Sequence, residues 1–390
     1  MLKLHYIIWN PDVYLIKIDK FYLLWYSILI LFSFFAGIKI VKYIYIKYNK
    51  NSKEVDNLSF YIFFFTLTGA RLGDVLFYNL DYYLINPLEV FLPIKFPELY
   101  FIGYKGLSYH GAIIGVIIGI YVYNNFYLNI NFFFYKFKFI KRKFKFKEFL
   151  WISTPIALGF LMGLFVRLGN FINSEIIGIP TKNTFGILFI NDVVSEVQDN
   201  FFNIKFINAI KINNILNGNK YQAILINIFL KNFNFKRNEI RDFVEFNIKK
   251  SLLKNQYIYF HINEKNNYPI FYKLFKLNRN KNYVVKIETL CIPRHPIQLY
   301  ECASYFAVFI FIFIFYKKKI KIIKNGLISS IVVIFSYLLR FFLEFFKKPF
   351  NIIFNIGVIL TMGHLLSLLT VIIGILLFIY LFFYMNNEKY

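Results

Sequence analysis

Hydrophobic positions along this chain gather into long runs more often than they alternate. Uncharged stretches cover Phe21–Ile38, Gly106–Tyr135, Phe149–Val166, Gly326–Leu339 and Phe350–Met385. A helix needs ~20 predominantly apolar residues to cross hydrocarbon. The pattern therefore predicts seven spans, at about 21–40, 59–79, 107–128, 149–169, 297–316, 326–346 and 359–383. The expected fold class is an all-α polytopic membrane protein with about seven transmembrane helices. Residues 179–293 break the pattern, being polar and rich in Asn and Lys, and "NYVVKIETL" and "QYIYFHINE" read as strands. They predict a small extramembrane head of mixed or mostly β character between spans four and five. The expected domains are thus a membrane part (1–178), a head (179–293) with a long insertion, and a second membrane part (294–390).

Charge adds orientation to this outline. Lys39, Lys42, Lys47, Lys50 and Lys53 follow span one, "KFKFIKRKFKFKEF" follows span three and "KKKIKIIK" follows span five. Short basic loops stay cytoplasmic, so the N-terminus is expected outside, the head on the outer face and the C-terminus in the cytoplasm. The net charge is +25, with 58% of residues hydrophobic and 17% charged. That excess is mostly Lys in a chain crowded with Phe, Ile, Tyr and Asn, as a very AT-rich genome produces. It is assigned to solvated loops and membrane orientation, and nucleic acid is not an expected partner. Arginine is scarce, which makes each one informative. Cys291 and Cys302 form neither a CxxC pair nor a ligand set, and no structural disulfide is expected. The first apolar run lacks a small-residue cleavage site, so span one is expected to remain as an anchor. No internal repeat is found.

Polar groups inside spans mark sites when they gather at one depth. Five stretches qualify. In "GARLGDVLFYN", Arg71 and Asp74 stand three apart and either neutralise each other or serve a site. In "GLSYHGAIIG", His110 opens an uncharged span, as an interface anchor or as a proton exchanger. In "MGLFVRLGNFINSEIIG", Arg167, Asn170 and Asn173 or Ser174 share a helix face, followed by Glu175 and Gly178. Snorkelling explains the arginine alone but not the amides and carboxylate that follow. In "RHPIQLYE", Arg294 and His295 precede a helix start at Pro296, and Gln298 and Glu301 share a face. In "SYLLRFFLEFF", Arg340 and Glu344 are an i,i+4 pair with Tyr337 one turn earlier. Two or three arginines converging at headgroup depth suit a phosphate, which the planar guanidinium binds as a fork. A lipid phosphate is the one native to that depth. The competing reading is a transporter or channel for an anionic solute, which would distribute polar residues along a through-path; here they gather toward the outer span ends.

These stretches, with "LLWYSILI", "NPLEVF", "RFFLEFFKKP" and "MGHLLSLL", occur in the order found in the bacterial prolipoprotein diacylglyceryl transferases, which the chain resembles over nearly all of its membrane region. The resemblance implies an enzyme of the bacterial cytoplasmic (inner) membrane. It would transfer the diacylglyceryl group from phosphatidylglycerol to the lipobox cysteine of a preprolipoprotein, forming a thioether and releasing glycerol phosphate. The family's important positions fall on Tyr26, His110, Arg167, Asn170, Glu175, Gly178, Arg340 and Glu344. His110, Arg167, Arg340 and Glu344 are the expected catalytic set, and Tyr26, Arg167, Asn170, Asn173, Glu175 and Gly178 the expected headgroup set. Arg71, Tyr337, Arg294, Gln298 and Glu301 are expected in support, and no metal or soluble cofactor is needed. Three departures stand out. Ser336 occupies the family's tyrosine position with Tyr337 one later, Ala112 replaces a glycine after His110–Gly111, and the head is far longer.

Overall fold

The computed structural model describes residues 6–18, 21–47, 49, 51–92, 94–95, 100–101, 108–131, 136–141, 163–201, 204–216, 221–231, 237–254, 271–277, 282–317, 327–349, 352–356 and 358–387. The chain is helix-rich. Four helices among the described residues are long and apolar enough to cross a membrane: α1 (Trp25–Lys47), α2 (Lys53–Phe77), α9 (Ile297–Lys317) and α11 (Met362–Asn387). α4 (Tyr109–Asn125), α5 (Gly163–Ile172) and α10 (Leu327–Glu344) fall at other expected positions. Most of the span expected at 149–169, the strand read in "QYIYFHINE" and most of "KKKIKIIK" lie outside the described residues.

Helix boundaries move for local reasons. Phe21–Leu24 pairs as a strand with Tyr14–Ile18, so α1 starts at Trp25. α2 starts at Lys53, earlier than the apolar pattern, because Glu54 and Asp56 suit the positive end of the helix dipole. Val358–Thr361 pairs with Ile352–Ile356, which delays α11 to Met362.

The chain divides into two compact units. One comprises residues 33–160, 309–332 and 376–390. Its centre is the α2–α4 pair, which meets on glycines. A Cβ at Gly69 would collide with the carbonyl of Gly111, one at Gly111 with the carbonyl of Gly69, and one at Gly115 with the carbonyl of Phe65. Small residues let the two backbones touch, the packing used between helices in lipid. Ser108 caps α4: its Oγ accepts the Gly111 N–H at 3.2 Å, while its own N–H donates to Ala70 O at 2.9 Å. Leu58, Ile120 and Tyr123 close the far end.

The other unit comprises residues 1–32, 161–308 and 333–375. It contains a four-stranded antiparallel sheet of β3 (Ile204–Leu216), β4 (Tyr221–Leu230), β5 (Phe271–Leu277) and β6 (Asn282–Cys291), in the order β5-β6-β4-β3. Ile224, Ile226 and Ile228 alternate onto one face beside Val285 and Ile287. Against that face pack Val193 and Val197 of α6 (Asn191–Asn200). A helical run also packs there with Ile240, Val244, Ile248 and Leu252. It comprises α7 (Arg237–Phe243), a π-turn (Val244–Ile248) and α8 (Lys249–Lys254). An element with no counterpart in the apolar pattern is β1 (Ile7–Trp9), parallel to β2 (Ile187–Phe189). The Trp9 indole N–H donates to Phe171 O at 2.8 Å, and its ring stacks on Phe171 at 4.2 Å.

Candidate functional site

α5 carries "VRLGNFI" to Ile172 and then the chain reverses. Asn173 N–H returns to Gly169 O (2.9 Å), Ser174 N–H to Phe171 O (3.1 Å) and Glu175 N–H to Asn170 O (2.9 Å). Ser174 and Ile176 adopt φ of 57° and 54°. A left-handed backbone at a β-branched residue costs about 1–3 kcal/mol and persists only where its surroundings enforce it. What enforces it here is a backbone seam. Gly178 N–H bonds His295 O (3.2 Å), Ile179 N–H bonds Phe346 O (2.9 Å), His295 N–H bonds Ile179 O (3.1 Å) and Lys348 N–H bonds Ile177 O (3.2 Å). Gly178 has to be glycine for a packing reason, since a Cβ there would lie 2.5 Å from His295 O and 3.0 Å from Phe346 O. The seam thus draws the ends of α5 and α10 and the start of α9 together.

Arg167, half-buried, places Nε 2.9 Å from Glu301 Oε2. The other oxygen of Glu301 lies 2.9 Å from Lys347 Nζ, and Lys347 also reaches Glu344 Oε2 at 2.9 Å. The side chain of Glu301 is 1% exposed, and such burial is tolerable because two cations share the charge. Asn170 continues the array. Hydrogen-bonding logic turns its amide oxygen to Arg167 Nη1 and its nitrogen to Glu175 Oε2, both at 3.1 Å. Asn173 Nδ2 donates to Glu175 Oε1 at 3.2 Å, so two amides hold that exposed carboxylate. The Tyr26 ring lies against Gly169, where a Cβ would collide with it. Gln298 donates its amide to Glu175 O, and Arg294 Nη1 donates to Gly178 O at 3.2 Å. Both therefore brace the turn. Burial holds His295 below its ordinary pKa, and its Nδ1 lies 3.2 Å from the Tyr300 hydroxyl.

The structure thus gathers Tyr26, Arg167, Asn170, Asn173, Glu175, Gly178, Arg294, Gln298, Glu301 and Glu344 in one unit. Arg340 and Tyr337 belong to the same unit on α10, with the guanidinium 6.0 Å from the Tyr337 ring centre. Glu344 forms an ion pair with Lys347, which the sequence analysis did not single out. Its signal was there: Lys347 follows Glu344 by three residues inside "RFFLEFFKKP". Thr361 and His364 were also not singled out: the Thr361 hydroxyl meets Glu344, and His364 meets Thr361.

Two candidates lie in the other unit. His110 is in the first turn of α4, and its side chain lies outside the described residues. Arg71 is a clamp. Its Nε donates to Val90 O (2.9 Å) and its Nη2 to Glu89 O (2.6 Å), and the guanidinium sits 4.8 Å over Tyr83 with Asp74 3.8 Å away. That fixes the 87–90 turn, which follows the short helix α3 (Leu80–Ile85).

Chemically, the site combines fixed cations, amides and a tyrosine around a turn. Glu301 and Asn170 occupy Nε and Nη1 of Arg167 and thereby orient the fork's remaining donors. Such an arrangement suits a phosphate or a developing anion. Among the described residues no group of three or more His, Cys, Asp and Glu is placed to hold a metal.

Comparison with known proteins gives one family. The profile of prolipoprotein diacylglyceryl transferase matches residues 13–380. A curated relative from Tolumonas auensis, named phosphatidylglycerol–prolipoprotein diacylglyceryl transferase, is 33% identical over 182 residues, 46% of this chain and 60% of its own. Proteins of the same name from Bacteroides fragilis (33% over 187 residues, 46% of this chain and 60% of its own) and Chloroherpeton thalassium (29% over 185 residues, 47% and 59%) are also similar. The matched part of the chain spans about 60% of the length of these relatives.

Proposed function

The chain belongs to the prolipoprotein diacylglyceryl transferase family, and from that membership we propose that it transfers the diacylglyceryl group of phosphatidylglycerol to the lipobox cysteine of a preprolipoprotein. The observation that carries the reading is the buried array Arg167–Glu301–Lys347–Glu344 beside the Asn170–Glu175 turn. In this reading the cysteine thiolate attacks the glyceryl carbon that bears the phosphate oxygen. A carbon–sulfur bond forms, the carbon–oxygen bond breaks, and glycerol phosphate leaves with the bonding electrons. The thiolate is the attacking form, and His110 is the proposed acceptor of its proton. Arg167 and Arg340 stabilise the charge that grows on the leaving phosphate. Asn170, Asn173, Glu175 and Tyr26 orient the headgroup around the strained turn, and Gly178, Arg294 and Gln298 keep the turn in place.

The same reading assigns the setting. The protein spans the bacterial cytoplasmic membrane about seven times, with the N-terminus and the 179–293 head outside and the C-terminus in the cytoplasm. The basic loops after spans one, three and five support that orientation.

The test is mass spectrometry of a lipobox peptide incubated with the purified protein and phosphatidylglycerol. The expected result is a diacylglyceryl mass gain on the cysteine that disappears when serine replaces it. No gain across several lipids and detergents would overturn the reading and direct attention to anion flux.

A further inference from the structure

The start of α11, inside the "MGHLLSLL" stretch, contains two side chains to which neither the family reading nor the headgroup site gives a role. Thr361 precedes the helix at Met362, and His364 is its third residue. His364 Nδ1 accepts the backbone N–H of Thr361 at 3.1 Å. This is one half of a capping box, with histidine where glutamate or glutamine usually stands. Because Nδ1 accepts there, neutral His364 carries its proton on Nε2. That leaves the Thr361 hydroxyl, itself 3.0 Å from Nδ1, able to donate elsewhere. It donates to Glu344 Oε1 at 3.1 Å. Gly363 supplies the space, since a Cβ there would collide with the Glu344 carboxylate. Thr361 and His364 are buried, at 4% and 3% exposed, and the His364 ring lies 4.3 Å from Phe345 and 5.2 Å from Phe341.

We propose that Thr361 and His364 are positioning residues: His364 closes the helix cap so that the Thr361 hydroxyl orients Glu344, and Glu344 in turn holds Lys347 on Glu301 beside Arg167. The inference deepens the transferase reading and rests on it for its kinetic part only. Four contacts in series carry it: Thr361–Glu344 (3.1 Å), Glu344–Lys347, Lys347–Glu301 and Glu301–Arg167 (each 2.9 Å). Removing the hydroxyl frees one carboxylate oxygen, and Lys347 loses a fixed partner. Arg167 then keeps its charge but not its place, and small misplacements at a reacting centre carry large rate penalties.

The experiment pairs disruptive and conservative variants in the full-length purified protein. Thr361→Val removes the donor and Thr361→Ser keeps it. His364→Leu removes the acceptor, and His364→Gln restores an ordinary capping box. Two quantities are read: kcat and KM for transfer from phosphatidylglycerol vesicles to a lipobox peptide, and the rate at which an amine reagent labels Lys347, followed by mass spectrometry. Thr361→Val and His364→Leu are expected to lower kcat ~10- to 100-fold with little change in KM. They should also speed Lys347 labelling several-fold, while Lys249, paired with Glu245 on the sheet's helical run, keeps its rate. Thr361→Ser and His364→Gln should recover both readouts. Unchanged Lys347 labelling in Thr361→Val overturns the proposal whatever the kinetics do, and so does faster labelling that Thr361→Ser fails to reverse. If the wild-type protein transfers nothing, the transferase reading fails while the labelling still decides the positioning chain.

Discussion

The tripeptide Arg-Leu-Gly occurs twice in apolar helices of this chain, at Arg71–Gly73 and at Arg167–Gly169, and the two copies do different work. Arg71 donates to two main-chain carbonyls, Val90 O and Glu89 O, and stacks on Tyr83. Carbonyls are fixed neutral acceptors and Asp74 stands off at 3.8 Å, so this guanidinium chiefly holds a turn. Arg167 faces a carboxylate that Lys347 shares. A shared counter-ion leaves a group of cations whose balance an incoming anion alters. The glycines differ too: Gly73 gives way to Gly111 and Ser108 of α4, and Gly169 gives way to the Tyr26 ring. An arginine in a span is therefore diagnostic of a site through the kind of acceptor it meets, and its mere presence is not enough.

The sharpest way to break this comparison is to truncate both arginines. Arg167→Ala is expected to lower transfer by a factor of ~10²–10³, as loss of an oriented donor to a developing anion does, while the protein still inserts and unfolds at nearly the wild-type temperature. Arg71→Ala should do the opposite, lowering the unfolding temperature and leaving turnover per folded molecule near wild type. Thermal melts in detergent together with peptide-transfer rates read both. Equal losses of turnover in the two variants would sink the distinction.

A second variant, Glu301→Gln, keeps the shape and removes the charge that Arg167 and Lys347 share. Breaking a buried ion pair from one side costs ~3–5 kcal/mol, and here Arg167 loses its carboxylate while Lys347 keeps Glu344. The denaturant midpoint should fall accordingly, and transfer should fall with it. An unchanged midpoint would mean that Arg167 too has another counter-charge.

Much of this organisation was legible in the sequence. The apolar runs located helices, the alternation in "NYVVKIETL" located β6, and Arg167 and Asn170 could be grouped from their spacing on one helix face, with Glu175 following. What the sequence lacked was the third dimension. Lys347 reads as one more lysine in a Lys-rich chain until the seam through Phe346 sets it beside Glu301. Thr361 reads as a span residue until Val358–Thr361 pairs as a strand and moves the start of α11 to Met362. β1 was missed because three residues, Ile7–Trp9, give no period, and their partner strand lies about 180 residues away. Arg71 and Arg167 looked alike because sequence names the donor and only the fold names the acceptor.

The α2–α4 pair tests the clamp side of the comparison with a smaller effect. Gly111→Ala places a methyl group against the Gly69 carbonyl, and overpacking of this kind costs ~1–3 kcal/mol. Since Ser108 ties the start of α4 to Ala70, next to Arg71, the change should lower the unfolding temperature. Gly119→Ala, where the Cβ would meet Phe65 Cβ at 3.0 Å and Tyr61 O at 3.1 Å, should lower it less. A larger loss at Gly119 would contradict the close approach at Gly69 and Gly111.

The smallest effect concerns a third arginine and separates commitment from proximity. Cys291 ends β6 fully buried, and burial pushes its thiol up to about 12 from an ordinary 9.0, against the pull of the Arg294 charge. Arg294 is nearby, and its Nη1 donates to Gly178 O, so part of its fork braces the turn. The folded-state pKa is raised, so the folded protein keeps a proton that the unfolded chain gives up. The stability drawn from this thiol is complete below about pH 9 and is lost as pH rises through the window from 9.0 to about 12. At pH 8, alkylation of Cys291 by iodoacetamide should therefore proceed only as fast as the protein opens, and the reaction should quicken in denaturant. Cys291→Ala should flatten the decline in stability above pH 9. Rapid alkylation of the folded protein at pH 8 would place the Arg294 charge on the sulfur instead of the seam, and the distinction between a nearby arginine and a committed one would fail there first.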